Sequence, residues 1–292
     1  MIKGIFAPIP TPFKNDIIDY DAMKSNLEKW NKTKLAGVVV LGSNGEFAYL
    51  SYQEKVDLMK FVRENLSKDK MVIAGTGCES TRETIALSKE AAEIGCDAAL
   101  VLTPHYYKGA MSDQALHDYF VSVADEVPIP IMLYNMPRNA GLNMSSDLVI
   151  SLSKHDNIAG IKDSSGNIVQ IAEVCANTED DFSVFAGSGS FLFPALALGA
   201  VGGTLAVANI MPNQCVEVYE NAINGNYEEA RIGQYKLLKP NKAVTAQYGI
   251  AGLKEALNLL GYQGGYVRKP MMDASPKVKE SIKSILEEAN LI

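Results

Sequence analysis

The 292-residue chain has few of the residues that build metal centres and disulfide frameworks. Its four cysteines (Cys78, Cys96, Cys175 and Cys215) form no CxxC pair, and its three histidines form no HExxH or similar cluster. Zinc sites and small disulfide-bonded scaffolds depend on such spacings. The sequence therefore gives no support for a metal site. With no disulfide framework and no signal peptide, it predicts a protein of the reducing cytoplasm.

Basic residues are also scarce. Lys and Arg number 27 against 34 Asp and Glu, the formal net charge is −7, and no run of basic residues occurs. A protein that binds nucleic acid or an anionic membrane surface needs concentrated positive charge. The composition therefore excludes nucleic acid and membrane as the main partner.

Charged residues are absent from residues 182–216, a stretch long enough to raise the question of a membrane span. The glycines and prolines that interrupt it are Gly187, Gly189, Pro194, Gly199, Gly202, Gly203 and Pro212. Such interruptions are typical of a strand, a helix and a second strand inside a large buried core. We therefore expect core here, and no spanning helix.

Short apolar segments rich in β-branched residues recur along the chain. They are residues 4–7, 36–41, 71–74, 98–102, 129–134, 158–161, 182–186 and 203–207. Near-continuous apolar runs are typical of strands that are covered on both faces, as in a parallel sheet. The segments between them have helical patterns with polar starts, and Ser51 with Glu54 and Ser80 with Glu83 match the capping-box pattern.

Eight strands that alternate with helices over about 210 residues predict a (β/α)8 barrel, the TIM-barrel fold. A doubly wound sheet is the alternative, but no GxGxxG motif follows the first strand. After Asn209 the strand patterns stop, and the candidate helices are residues 217–223, 227–238, 252–260 and 276–289. We predict a barrel domain over residues 1–211 and a C-terminal helical region, residues 212–292, packed on it.

A lone lysine, Lys162, follows the apolar segment 157–161, where a charge is costly to bury. A buried ammonium group tends to lose its proton, and a desolvated lysine is the usual source of Schiff bases with carbonyl substrates. The alternative is a lysine at a strand end that reaches water or pairs with Asp163. On this segment alone, both interpretations stay open.

Other candidate groups follow the remaining strands, because active-site residues of such barrels lie at the carboxyl ends of the strands. Residues 42–45 (Gly-Ser-Asn-Gly) offer backbone N–H groups for an oxyanion or carboxylate, or form a plain turn capped by Ser43 or Asn44. Tyr134 is either an aromatic at the barrel rim or a proton shuttle beside the lysine. The Tyr106-Tyr107 pair suggests an interface as readily as a catalytic site.

Together these segments resemble the dihydrodipicolinate synthase and N-acetylneuraminate lyase family of class I aldolases. The resemblance covers essentially the whole chain and is carried by residues 42–46, 106–107, 134–137, 160–163 and 202–203. It implies a (β/α)8 barrel with a C-terminal helical region, usually a homotetramer. It also implies that a small 2-oxo acid such as pyruvate is held as an imine on a lysine, with no metal or other cofactor.

The resemblance assigns roles to individual residues. It makes Lys162 the Schiff-base former and Tyr134 the proton donor and acceptor. Ser43 matches the hydroxyl that links this tyrosine to a tyrosine of a neighbouring subunit, here Tyr107. Asn44, with the loop amides, matches the carboxylate-binding site. Thr204 falls near the backbone position that closes over the 2-oxo acid.

Two positions depart from the lysine-pathway synthase branch of the family. That branch has Thr-Thr where this chain has Ser43-Asn44, and an arginine for the second substrate's carboxylate where this chain has Asn139, with Arg138 one residue early. Both departures resemble the 4-hydroxy-2-oxoglutarate aldolase branch, as do residues 105–112, 185–188, 248–254 and 261–265. The leading prediction is a lyase that cleaves a 4-hydroxy-2-oxo acid such as 4-hydroxy-2-oxoglutarate to pyruvate and an aldehyde.

Several alternatives stay open. One is the synthase, which condenses pyruvate with aspartate semialdehyde to 4-hydroxy-tetrahydrodipicolinate. Sugar-acid lyases, dehydratases and a deaminase of a hydroxyproline-derived imine share the same lysine and tyrosine. A catalytically silent barrel that only binds a 2-oxo acid is a hypothesis of another class. The intact Lys162, Tyr134 and 42–46 loop argue against it, because a buried lysine without a task lowers stability.

Overall fold

The computed structural model describes residues 1–292 and contains eight parallel strands closed into a barrel. In all, the chain has ten strands: β1 (Gly4–Pro8), β2 (Phe13–Lys14), β3 (Ile17–Ile18), β4 (Gly37–Val40), β5 (Met71–Gly75), β6 (Ala98–Leu102), β7 (Ile131–Asn135), β8 (Ile158–Asp163), β9 (Ser183–Ala186) and β10 (Gly202–Thr204). Strands β2 and β3 pair as a small antiparallel ribbon, and the others form the barrel, which β1 closes by pairing with β4 and β10. The predicted (β/α)8 fold is confirmed.

Helices surround the barrel and fill the C-terminal region. They are α1 (Tyr20–Trp30), α2 (Tyr52–Asn65), α3 (Thr81–Ile94), α4 (Asp113–Glu126), α5 (Pro137–Ala140), α6 (Ser146–Leu152), α7 (Ile168–Asn177), α8 (Leu192–Ala197), α9 (Pro212–Ile223), α10 (Tyr227–Lys242), α11 (Gly249–Leu259) and α12 (Pro276–Glu288). Ser51 and Glu54 form the complete predicted capping box. Ser80 accepts the Glu83 N–H, which is the first half of the second predicted box.

The barrel strands are buried on both faces, as their apolar composition predicted. Side chains such as Phe6, Val39, Leu100, Met132 and Phe185 form a small cluster in the barrel interior. A much larger cluster fills the space between the strands and the helices. Because neighbouring residues of a strand face opposite sides, strands such as β4, β6 and β7 contribute to both clusters.

The charge-free stretch 182–216 contains β9, α8 and β10, as the glycine and proline spacing predicted. The last strand is shorter than the apolar segment 203–207, because residues 206–209 form a 3-10 turn. The Asn209 amide stabilises this turn by donating to the carbonyl oxygens of Pro8 and Ala206, each at 3.0 Å. No helix in the structure combines the length and the apolar character needed to cross a bilayer.

The C-terminal region begins on the barrel wall. Helix α9 starts at Pro212, earlier than predicted, and lies against β1 and α8, the position of the eighth barrel helix. A π-helical turn at Ala243–Gln247 joins α10 to α11, which packs on α12. The division of the chain after residue 211 stays a prediction.

Candidate active site

A cavity of about 330 Å³ lies at the carboxyl ends of the barrel strands. The predicted residues that line it are Ser43, Asn44, Tyr134, Arg138, Asn139, Lys162 and Thr204. They come from segments that are far apart in sequence and meet because parallel strands end at the same edge of the barrel. The fold therefore brings together every predicted site residue except Tyr107.

Lys162 and Tyr134 are neighbours in the barrel wall. They lie directly opposite each other in the β7–β8 register, and both side chains point inward. Their residues are only 3% and 4% exposed, and the Lys162 Nζ atom lies 4.1 Å from the centre of the Tyr134 ring. A primary amine and a phenol are thus held side by side, away from bulk water.

The Tyr134 hydroxyl group contacts the 42–45 loop, because its oxygen lies 3.3 Å from the Ser43 Oγ atom. Burial raises the pKa of Tyr134, but the Lys162 charge and the hydrogen bond with Ser43 lower it and contribute to outweighing the effect of burial. The net result is a pKa below the ordinary value of 10.0. A phenol with a lowered pKa releases its proton more easily, which suits a proton shuttle that works near neutral pH.

The 42–45 loop is a tight turn bounded by unusual backbone. Ser43–Gly45 forms one 3-10 turn, and the Asn44 amide donates to the Pro8 carbonyl at 3.3 Å. Leu41 and Glu46, on either side of the loop, adopt left-handed φ angles of 59° and 57°. A non-glycine residue in this region costs about 1–2 kcal/mol, so surrounding contacts must hold the loop in shape.

The three remaining lining residues differ in exposure. Thr204 is buried at the end of β10, whereas Arg138 and Asn139 are exposed on the short helix α5. Both α5 residues line the cavity, so the one-residue offset of the arginine does not remove it from the site. The arginine ion pairs within the chain belong to Arg63, Arg231 and Arg268, which leaves the Arg138 guanidinium free for a ligand.

Tyr107 lies outside the cavity within a single chain. Its residue is 74% exposed, and its ring packs edge-on against Tyr106 with centroids 5.0 Å apart. The structure of the single chain shows no hydrogen bond between Tyr107 and Ser43.

The sequence patterns missed the contribution of the C-terminal region to the cavity. Val244, Thr245, Gly249, Ile250 and Met271 line it beside the strand ends. None of these residues carries a recognisable catalytic group. The only signal was the resemblance of residues 248–254 to the aldolase branch, which assigned them no role.

Asp163 does not pair with Lys162, because the two side chains leave β8 on opposite faces. One carboxylate oxygen of Asp163 accepts the backbone N–H and the hydroxyl of Ser165. The other accepts the amides of Asn135 at 2.7 Å and Gln170 at 3.3 Å. Asn135 faces Asp163 in the register one step beyond Tyr134 and Lys162, so this network joins the two strands next to that pair.

Replacing Asp163 by Asn is expected to reduce the free energy of unfolding by about 2–4 kcal/mol. The new amide N–H₂ group would take the place of a carboxylate oxygen and would face N–H or O–H donors, which would then lack an acceptor. The melting temperature at a fixed protein concentration measures the effect. Asp156→Asn, which changes an exposed carboxylate, is the matched control. Equal melting temperatures for the two variants would show that the network does not stabilise the barrel.

A larger cleft of about 540 Å³ lies between α1 and the C-terminal helices. Its polar side chains include Lys254, Glu255, Asn258 and Lys279. The Lys254 ammonium is already bonded to carbonyl oxygens of the chain, and Lys279 pairs with Glu255 at 3.1 Å. The smaller cavity is the better active-site candidate because it contains the amine of Lys162, which forms no ion pair.

The structure holds no group of three or more His, Cys, Asp or Glu side chains arranged for a metal ion.

Comparisons with known proteins agree with this fold over the whole chain. Residues 1–289 match the Dihydrodipicolinate synthetase family. The 4-hydroxy-tetrahydrodipicolinate synthase of Archaeoglobus fulgidus is 36% identical over 293 residues, covering 100% of both chains. The crystal structure of dihydrodipicolinate synthase from Aquifex aeolicus is similar with a TM-score of 0.95 at 30% identity, covering 99% of both chains.

A further similar structure is the chloride-inhibited dihydrodipicolinate synthase of Acinetobacter baumannii complexed with pyruvate. Its TM-score is 0.94 at 28% identity, with 99% of both chains covered. These relatives bear the synthase name, so they do not support the narrower resemblance to the 4-hydroxy-2-oxoglutarate aldolase branch. The chain belongs to the dihydrodipicolinate synthetase family and is a pyruvate-dependent class I aldolase.

Proposed function

We propose that the enzyme binds pyruvate as an imine on Lys162 and joins it to an aldehyde that carries a carboxylate. One observation supports this above all: a single cavity holds an amine beside a phenol, with an anion-binding loop and a free guanidinium nearby. The pyruvate in the Acinetobacter baumannii relative supports the choice of 2-oxo acid. A silent binding barrel would need neither the amine nor the phenol.

In the proposed reaction the Lys162 amine attacks the carbonyl carbon of pyruvate, and water leaves to give the protonated imine. Loss of a methyl proton gives an enamine, whose carbon attacks the aldehyde, and the new alkoxide takes a proton. Hydrolysis then returns the free amine; where the aldehyde carries an amino group, as aspartate semialdehyde does, that amino group instead attacks the iminium carbon, displaces the Lys162 amine and closes the product ring. Cleavage of a 4-hydroxy-2-oxo acid is the same sequence reversed. The iminium is the electron sink, so no Lewis-acidic metal or other cofactor is needed.

The chain's other cavity residues have defined tasks in this scheme. Tyr134 moves the proton at the substrate oxygen, and Ser43 holds the phenol by its hydrogen bond. Asn44 and the loop amides hold the carboxylate of pyruvate, while Thr204 lines the cavity at the end of β10. Arg138 meets the carboxylate of the aldehyde, with Asn139 beside it.

The aldehyde that we favour is aspartate semialdehyde, which makes the enzyme a 4-hydroxy-tetrahydrodipicolinate synthase. The names of full-length relatives such as that of Archaeoglobus fulgidus support this assignment. They favour it over the leading sequence prediction, cleavage of 4-hydroxy-2-oxoglutarate. The main objection to condensation was the displaced arginine, and it loses force because Arg138 lines the cavity.

Cleavage of 4-hydroxy-2-oxoglutarate remains the second candidate, because Ser43, Asn44 and Asn139 line the same cavity. Both reactions need a cation for a distal carboxylate. They differ in the length of the aldehyde, because glyoxylate is shorter than aspartate semialdehyde. Sugar-acid substrates and dehydration lack a supporting observation of this kind.

We expect kcat/KM for condensation with aspartate semialdehyde to exceed kcat/KM for cleavage of 4-hydroxy-2-oxoglutarate. Replacing Arg138 by Ala should lower the condensation value by about 10- to 100-fold, because a charged hydrogen bond of roughly 1.5–3 kcal/mol is lost. The exposed Arg82→Ala is the matched control. The opposite ranking would favour the second candidate, and an unchanged R138A variant would remove Arg138 from the site.

We also propose a homotetramer in which Tyr107 of one subunit meets Ser43 of another. The exposed Tyr106-Tyr107 pair supports this arrangement. Light scattering should give a mass about four times that of the 31.6 kDa chain. A fully active monomer at assay concentration would contradict the proposed role of Tyr107.

The cytoplasmic location stays a prediction from cysteine usage.

A further inference from the structure

Glu46 and Lys254 form a buried ion pair that has no task in the proposed reaction. The Lys254 Nζ and Glu46 Oε1 atoms are 2.6 Å apart, and the two side chains are 3% and 0% exposed. Glu46 follows the 42–45 loop, whereas Lys254 lies on α11 in the C-terminal region. Neither residue lines the cavity that contains Lys162. Buried charges are costly, so a pair placed beside the active-site loop calls for an explanation.

Both members of the pair have further hydrogen-bond partners. The Lys254 ammonium donates to the carbonyl oxygens of Thr11, at 2.7 Å, and Tyr266. The second Glu46 oxygen accepts the backbone N–H of Arg268 at 2.8 Å. Burial lowers the pKa of Lys254, and Glu46 opposes this shift. The C-terminal region therefore holds the Glu46 carboxylate by a cation and by a backbone donor.

The Glu46 backbone is connected to the Tyr134 hydroxyl through one residue, Ser43. The Glu46 N–H donates to the Ser43 carbonyl at 3.2 Å, and Ser43 contacts the Tyr134 hydroxyl. Thr11, which accepts from Lys254, also donates through its hydroxyl to the Gly45 carbonyl at 2.7 Å. A shift of Glu46 would therefore move the whole turn.

We propose that Glu46 and Lys254 are positioning residues, whose ion pair fixes the 42–46 loop so that Ser43 and Asn44 meet the carboxylate of the 2-oxo acid. This inference rests on the proposed function of that loop. The pairing has a second consequence, because it neutralises a carboxylate that would otherwise repel the anionic substrate.

The test compares the KM for pyruvate in Lys254→Met, Glu46→Gln and the double variant. Each single change should raise the KM about 10- to 100-fold, because a small displacement of a binding loop is enough to weaken substrate positioning. The effect on kcat should be smaller than the effect on KM. The double variant should lose no more than the worse single variant, since both remove the same interaction. Lys279→Met, which breaks the Lys279–Glu255 pair of the same region, is the matched control and should keep the native KM.

Native KM values in folded E46Q and K254M proteins with lowered melting temperatures would overturn the inference, because the pair would then be structural only. Additive losses in the double variant would also overturn it. If the single variants do not fold, Glu46→Asp is used instead, because it keeps the charge but shortens the side chain by one methylene group. It should raise the KM at least severalfold, and a native value would contradict the inference. Borohydride trapping of pyruvate by the native enzyme is measured in parallel. If no adduct forms, the proposed function itself is refuted. If the native enzyme forms the adduct but the variants keep the native KM, only the positioning role is refuted.

Discussion

Replacing Lys162 by Ala is expected to lower pyruvate-dependent turnover by about 10³-fold or more, because the covalent imine can no longer form. The side chain is buried in the barrel wall with Tyr134 as its neighbour, and the residues that line the cavity include no second lysine. Lys162→Arg should be equally inactive, since it keeps a positive charge but no nucleophilic amine. Steady-state assays with pyruvate and aspartate semialdehyde measure the loss.

The control for this experiment is Lys154→Ala, which removes an exposed lysine outside the cavity and should keep native turnover. Treating the native enzyme with a chelator should also leave turnover unchanged, because the iminium replaces a metal as electron sink. A Lys162→Ala variant with activity within tenfold of native would contradict the covalent mechanism. Loss of activity with a chelator, restored by a divalent ion, would contradict it independently.

Replacing Tyr134 by Phe is expected to lower turnover by about two to four orders of magnitude while pyruvate can still be trapped on the enzyme. The ring remains, so packing in the barrel is kept and only the hydroxyl beside Ser43 is lost. The pKa of Tyr134 lies below its ordinary value, so the phenol loses its proton at a lower pH than a free tyrosine does. The native pH–rate profile should contain this ionisation, and the Phe variant should lack it.

Tyr119→Phe is the matched control for this second prediction. Tyr119 is also a buried tyrosine, and its hydroxyl bonds to Thr84 at 2.9 Å outside the cavity. Its replacement should lower the melting temperature without changing turnover or the pH profile. Native turnover in Tyr134→Phe would reduce Tyr134 to a packing residue.

The barrel could be predicted because its determinants are local. Apolar runs of strand length and polar helix starts such as Ser51 are visible in short windows, and the structure has the strands within a few residues of those segments. Lys162 and Tyr134 could be named because strand ends in such a barrel converge at one edge. Their direct pairing across β7 and β8 depends on register, which the apolar pattern alone does not give.

The features of the site that could not be predicted depend on contacts between residues that are far apart in sequence. Glu46 belonged to a recognised motif, but nothing near it indicated that its partner would be Lys254 on α11. Asp163 was considered only as a partner for Lys162, whereas the strand alternation directs it to Asn135 and Gln170.

The leading substrate prediction receives less support from the relatives than its alternative does. It depended on the Ser43-Asn44 pair, on the one-residue offset between Arg138 and Asn139, and on further segments that resemble the aldolase branch. Because α5 begins at Pro137 and turns at once, it brings both residues to the cavity. An offset in a linear motif therefore does not by itself exclude a side chain from the cavity, and the names of the full-length relatives favour the synthase.

The most direct test of the central claim is to incubate the enzyme with pyruvate, reduce it with borohydride and map the modified peptide by mass spectrometry. The proposed mechanism predicts one reduced pyruvate per chain, attached to Lys162, and no adduct in the Lys162→Ala variant. An adduct on a different lysine, or none on the native enzyme, would contradict it.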